Sequence, residues 1–278
     1  TALLLWRLGR KAGLDGVAAT AAGVFYLIFY GGPLFGGFWA TAQVEIFVDP
    51  LVALALFCIV PKRDQSVVSR LHWCAAGMLI GIAVAWLKYS CFPLLAMGFL
   101  AFLESGKRPR VSGFRNMWAF ALGAMAPGVA MLAYFALTGR LAEFWSATVV
   151  FNLAHRQMSA SVWPVAAWVR LFPWLVPLCV LYAFSLVGII ACGLQPDPVK
   201  KRTWLLMSAL LLWGITLGEV FIQAKFWSYH YHVILLPLTL LAALGVQGLA
   251  DGLAARVGPV VAWTVCGVLV VVFMTPYA

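Results

Sequence analysis

Charge is what this sequence has least of. Asp and Glu number 9 and Lys and Arg 19 among 278 residues, so charged side chains make up 10% and hydrophobic ones 64%. That balance excludes an ordinary water-soluble surface, which takes roughly 25–35% charged residues. Paired cysteines are missing as well: Cys58, Cys74, Cys91, Cys179, Cys192 and Cys266 stand singly in apolar runs. None has zinc or redox spacing, so they are expected to pack as small lipophilic side chains. Apolar/polar alternation is absent, which argues against an outer-membrane barrel. No signal peptide is recognisable in these residues, and no internal repeat is visible along the chain.

Long continuous apolar runs are what is present. About 20 apolar residues cross a bilayer as a helix, and the runs predict an all-α, polytopic transmembrane bundle of about nine spans. These lie at 12–30, 45–60, 71–87, 90–103, 116–137, 168–192, 204–222, 231–249 and 259–276, and 1–278 reads as a single transmembrane domain. Pro50, Pro93, Pro127, Pro173, Pro177 and Pro237 fall within the spans, where they are expected to kink or start helices. Thr1 stands in an apolar stretch with no initiator methionine, and Ala278 just past another; both ends are expected to have been cut from a longer protein.

The cations are distributed unevenly between the two sets of connections. One set holds Arg7, Arg10, Lys11, Lys62, Arg63, Arg70, Lys107, Arg108, Arg110, Arg115, Lys200, Lys201, Arg202 and Arg256. The other holds Lys88, Arg140, Arg156, Arg170 and Lys225. By the positive-inside rule the first set is cytoplasmic. The net charge of +10 then reflects topology and anionic lipid headgroups, so membrane lipids are the expected partners and no nucleic-acid site is needed.

The outer connections carry the candidate chemistry. Residues 225–232, Lys-Phe-Trp-Ser-Tyr-His-Tyr-His, crowd a cation, two imidazoles and four aromatic rings at the mouth of the apolar run 233–244. Such rings favour the headgroup level, and a cation or imidazole there needs a partner or a charged ligand. His230 and His232 at i,i+2 point apart on a helix, which disfavours a shared metal. Glu45 opens the second span and Asp49 follows at i+4 on the same face. Glu45 is either a helix N-terminal acid favoured by the macrodipole or a functional acid; Asp49 is either hydrogen-bonded within the bundle or functional. Both could offer oxygens to a divalent cation, with no complete ligand set. Lys88, before Tyr89 in a short link, either snorkels to headgroups or binds a phosphate as a point charge. Glu219 either pairs with Lys225 or lines a cavity. Leu141, Phe144, Trp145, Thr148 and Val149 form a stripe that predicts a helix lying in the interface plane. After it, Asn152, His155, Arg156 and Gln157 suit an anionic headgroup or a sugar, or serve as the polar residues of a wet loop.

At these residues the sequence resembles a known group. His230-Tyr231-His232-Val233-Ile234-Leu235-Leu236-Pro237, continuing to Gly245, is similar to the HY…LLP…LALLA segment of the GT-C membrane glycosyltransferases, among bacterial relatives of protein O-mannosyltransferases and lipid A aminoarabinose transferases. Leu132-Ala133-Tyr134-Phe135-Ala136-Leu137-Thr138-Gly139, with Phe144-Trp145 and Phe151-Asn152 after it, resembles that group's YF…TG…F…FN passage. Residues 41–47 resemble its helix opening with an acid, and 77–93, with Lys88-Tyr89, its TKYT…LLP hairpin. The shared order of these motifs along nearly the whole chain carries the resemblance.

The resemblance implies an inverting transfer of a sugar from a polyprenyl-phosphate carrier to a lipid, glycan or protein acceptor, on the periplasmic side of a bacterial inner membrane. Glu45 matches the family's second-helix acid, Lys88 its lysine after the hairpin, and His230 and Tyr231 its HY pair. Lys88 and Lys225, the latter on position and charge alone, are assigned to the phosphate; His230 and Tyr231 to the leaving group or acceptor. The family's main catalytic aspartate lies in its first outer loop, and no counterpart exists here; the chain is expected to begin near the third helix of the pattern, with Glu45 an auxiliary acid. The alternative is a transporter or flippase for a lipid-linked anion, for which paired or inverted halves are expected; the lack of a visible repeat favours the enzyme. A family member that has lost catalysis and scaffolds an envelope complex is the third reading.

Overall fold

A computed structural model describes residues 1–31, 45–60, 68–86, 91–106, 110–151, 154, 178–194, 201–223 and 232–274. Among the described residues there are eleven α-helices, one π-helical turn and no strand. The helices are α1 (Ala2–Lys11), α2 (Gly16–Gly31), α3 (Glu45–Ile59), α4 (Arg70–Trp86), α5 (Cys91–Gly106) and α6 (Arg110–Leu137). There follow α7 (Leu141–Trp145), the π-helical turn Ser146–Val150, α8 (Cys179–Leu194), α9 (Lys201–Gln223), α10 (His232–Val257) and α11 (Pro259–Met274). Three stretches, Phe114–Leu137, Arg202–Val220 and Ile234–Val257, are long and apolar enough to cross a membrane, and the remaining apolar helices are shorter. Among the described residues an apolar helix overlaps each predicted span, that at 168–192 from Cys179 onward.

The differences from the predicted boundaries have local causes. The chain before residue 12, not predicted as an element, forms α1, an amphipathic helix that buries Leu5 and Leu8 and exposes Arg7 and Arg10. It ends at Gly13, whose φ of 86° is the left-handed conformation glycine adopts without a Cβ penalty. There the Leu14 N–H bonds the Gly9 carbonyl at 2.9 Å and the Gly13 N–H bonds that of Arg10 at 3.2 Å. The same closure ends α6: Gly139 has φ 72°, and the Arg140 N–H reaches the Phe135 carbonyl at 2.8 Å. Helix α10 runs on to Val257 rather than ending near 249, and on that added length Asp251 finds partners in Arg202 and Gln247. Pro50, Pro127 and Pro237 all lie inside helices.

Helix α10 is the centre of the bundle. Every residue from 234 to 247 is buried, and α2, α3, α8, α9 and α11 pack around it. An isotropically apolar helix is what such a position selects. The run that follows the aromatic and histidine cluster in sequence is thus the core of the fold.

Two closely packed helix pairs organise the rest. Helices α4 and α6 run parallel, with Gly77 against the Phe120 carbonyl, Gly81 against that of Ala124 and Gly123 against that of Cys74. Helices α8 and α10 also run parallel, with Gly245 against the Phe184 carbonyl and Gly188 beside Leu241 and Gly245. At these crossings a side chain on the glycine would collide with the neighbouring backbone. Small residues let helix backbones approach this closely, which is how apolar helices associate without a hydrophobic driving force between them. In each trio, α4–α5–α6 and α8–α9–α10, the first and third helices pack most extensively. The middle helix leans on the third and barely on the first, and α5 packs against α9.

Candidate functional site

The ends of the helices divide into two faces. At one, the Lys11 ammonium donates to the Phe57 carbonyl at 2.5 Å and lies 4.3 Å from the Phe57 ring centroid. It thereby serves a carbonyl in the last turn of α3, where a cation is favoured. The Asp15 N–H donates to Gln247 Oε1 at 2.7 Å, and Gln247 Nε2 donates to Asp15 Oδ2 at 2.9 Å and to Asp251 Oδ1 at 2.8 Å. Arg202 bridges to Asp251 at 2.5 Å and reaches the Gly13 carbonyl at 3.4 Å. This network ties the α1–α2 turn, the start of α9 and the end of α10 together. It uses cations of the basic set, so we call this the basic face. Asp15, Gln247 and Asp251 were not anticipated from sequence, although the i,i+4 spacing of Gln247 and Asp251 on one helix side was a readable signal.

From the basic face the helix directions follow. Helices α2, α4, α6 and α9 lead away from it; α3, α5, α8 and α10 lead back. The starts of α3, α5 and α10 and the ends of α4, α6 and α9, with α7, therefore belong to the opposite face. Glu45 is the first residue of α3, with its side chain outside the described residues. Lys88, Tyr89, Asn152, His155, Arg156, Gln157, Lys225, His230 and Tyr231 also lie outside the described residues; His232 opens α10.

One turn below Glu45, Asp49 is 4% exposed and accepts a hydrogen bond of 2.5 Å from the Tyr26 hydroxyl of α2. The Tyr30 ring stacks on Tyr26 with centroids 5.1 Å apart. A carboxyl among apolar helices is costly unless it is hydrogen-bonded, and Tyr26 supplies that bond. Hydrogen bonding within the bundle, one of the two readings of Asp49, is what this contact supports. Tyr26 and Tyr30 were missed from sequence, where an i,i+4 tyrosine pair in an apolar helix was the available sign. Tyr26→Phe is expected to cost about 2 kcal/mol, in the range for a hydrogen bond to a charged group, read as a lowered midpoint in detergent unfolding; an unchanged midpoint would remove Tyr26 as the support of Asp49. Glu219 is 1% exposed on the buried stripe of α9 with Leu205, Ala209, Leu212 and Thr216. Among the described residues no three His, Cys, Asp or Glu side chains come together as a metal site.

The stretch expected as an interfacial helix is helical, as α7 and the π-helical turn. Its apolar stripe is divided, however. Phe144 stacks on Phe135 of α6 with centroids 4.7 Å apart, whereas Leu141 and Trp145 stay exposed. The wider π-helical turn leaves a shallow hollow lined by Ala142, Glu143, Ser146, Ala147 and Phe151 on the other side.

No protein-family model matches the chain, and neither a curated protein nor a solved structure matches it.

Proposed function

We propose that the protein is a nine-span bacterial inner-membrane glycosyltransferase of the GT-C type, moving a sugar from a polyprenyl-phosphate carrier to an acceptor at the periplasmic face. The observation that supports this most is the position of Glu45. It opens α3 at the face opposite the basic network, one turn above the buried Asp49–Tyr26 pair. By connectivity, the segments carrying Lys88, Tyr89, Lys225, His230 and Tyr231 meet helix ends at that same face. The order of sequence motifs supplies the identity of the reaction.

In this reading the acceptor hydroxyl gives its proton to a carboxylate as its oxygen attacks the anomeric carbon, and the bond from that carbon to the carrier phosphate breaks with inversion. Glu45 assists as an acid–base group. Lys88 and Lys225 steady the departing phosphate by charge, and His230 and Tyr231 hold the leaving group or acceptor. Asn152, His155 and Arg156, following the interfacial helix, contact the sugar or headgroup.

The test uses the native gene product in proteoliposomes with radiolabelled polyprenyl-phosphate sugars. Lys88→Ala and Glu45→Gln are each expected to lower carrier consumption by about 100-fold, the scale for losing one general acid–base or transition-state contact. Carrier consumption by the native protein that neither substitution alters would overturn the site assignment, and no consumption across a broad donor panel would overturn the transferase reading. A carrier for a lipid-linked anion is the second reading, and the pairing of the two three-helix trios is the observation that favours it.

A further inference from the structure

The two trios correspond part by part. In α4–α5–α6 the first helix leads away from the basic face, the second returns and the third leads away. In α8–α9–α10 each direction is reversed. Both trios close their first and third helices in parallel on glycine, Gly77 with Gly123 in one and Gly188 with Gly245 in the other. The third-helix glycine ends the same triplet in each, Ala121-Leu122-Gly123 and Ala243-Leu244-Gly245. Both place the middle helix against the third, and the two middle helices, α5 and α9, pack on each other. Equivalent elements meeting at a common seam are what a two-fold axis produces. Because the directions are opposite, that axis lies in the plane of the membrane.

We propose that residues 70–137 and 178–257 are an inverted-topology repeat, and that the two trios move as bodies about the α5–α9 seam, opening it to either face in turn for an amphiphilic lipid. Inverted repeats place the substrate path at the repeat interface and exchange access by rocking one repeat on the other. The tight crossings lie within the trios, where glycine packing leaves no slack, so the seam between them is the surface that can shear. The buried residues of α5 include Ala96, Met97, Leu100 and Ala101, and those of α9 are Leu205, Leu206, Ser208, Ala209, Leu212, Thr216, Glu219 and Val220, the last two near the opposite face. Helices whose buried residues are mostly apolar, with Ser208, Thr216 and Glu219 among them, suit an amphiphile better than a bare ion, which would be left poorly solvated. The inference does not depend on sugar transfer, and the two are tested by separate signals.

The experiment places spin labels at lipid-exposed positions, so that the packing is left intact. With the native cysteines replaced by alanine, Phe102→Cys with Met207→Cys spans the seam near the basic face. Phe102→Cys with Phe114→Cys lies within one trio; these three side chains are 57%, 50% and 54% exposed. Pulsed electron–electron distance measurements in liposomes are expected to give two separations across the seam and one within the trio. In parallel, vesicles of phosphatidylcholine with fluorescently labelled phosphatidylglycerol are treated with dithionite. Those carrying the protein are expected to bleach almost completely, and protein-free vesicles to about half. A single narrow distance across the seam, two distances within the trio, or bleaching that stops at half with protein present would each overturn the proposal.

Discussion

Gly245→Ala is expected to be among the most damaging single substitutions in this protein, lowering stability by about 3 kcal/mol, at the upper end for overpacking in a close-packed interior. The added methyl would run into the Phe184 carbonyl oxygen and crowd the Phe184 backbone. That neighbour is main chain within a helix and cannot swing aside. Relief would require α8 and α10 to separate, giving up dispersion contacts and any Cα–H···O contacts along the crossing. The control is Gly214→Ala, where nothing lies within 4 Å of the new methyl. There the substitution is expected to be neutral or to stabilise by up to about 1 kcal/mol, the intrinsic preference of a helix for alanine. Unfolding both variants in mixed detergent micelles, followed by circular dichroism, gives the comparison. Equal midpoints for the two would contradict the close α8–α10 crossing.

Gln247→Leu follows, with an expected loss of about 3 kcal/mol. The amide is 1% exposed and makes three hydrogen bonds, to the Asp15 N–H and to the carboxylates of Asp15 and Asp251. Leucine fills the volume but leaves those groups short of a partner, which costs roughly 1–3 kcal/mol for each group left unsatisfied, less whatever water recovers. Arg202→Ala tests the competing idea that the ion pair holds this face. Its side chains are 31% and 30% exposed, and exposed pairs contribute at most about 1 kcal/mol. Gln247→Leu should therefore lower the unfolding midpoint more than Arg202→Ala. The reverse order would assign the network to the charge pair.

Legibility from sequence was uneven, for reasons visible at particular residues. The central helix could be found because Val233 to Leu244 is apolar but for Thr239, and a helix surrounded by helices tolerates that. The basic face could be grouped because its cations are many. Asp49 could be placed one turn from Glu45 by spacing alone, but its partner Tyr26 is 23 residues away on another helix, and no local pattern links them. Gln247 and Asp15 are 232 residues apart, and only the folded chain brings them together. The glycines of α4 and α10 are written in the sequence, yet a glycine in an apolar helix does not say which neighbour it admits. Gly214 and Gly245 look alike until their surroundings are known. The repeat was invisible for a related reason: its two copies share directions and crossings and only a short glycine triplet of sequence, since many apolar side chains serve equally well around such crossings.

What the sequence determined by itself is the solvent and the local structure. With 64% hydrophobic residues and 10% charged, every backbone polar group in the apolar runs has to be bonded within its own segment, and helices are the outcome. The uneven cations likewise sort the connections into two sets. The tertiary structure decided which helices touch, and hence that Tyr26 supports Asp49, that the network around Gln247 and Asp251 joins three elements, and that two trios meet at α5 and α9. The physical reason is that helix association among apolar surfaces rests on shape and on a few polar contacts. Shape complementarity between distant segments is a property of the assembled chain.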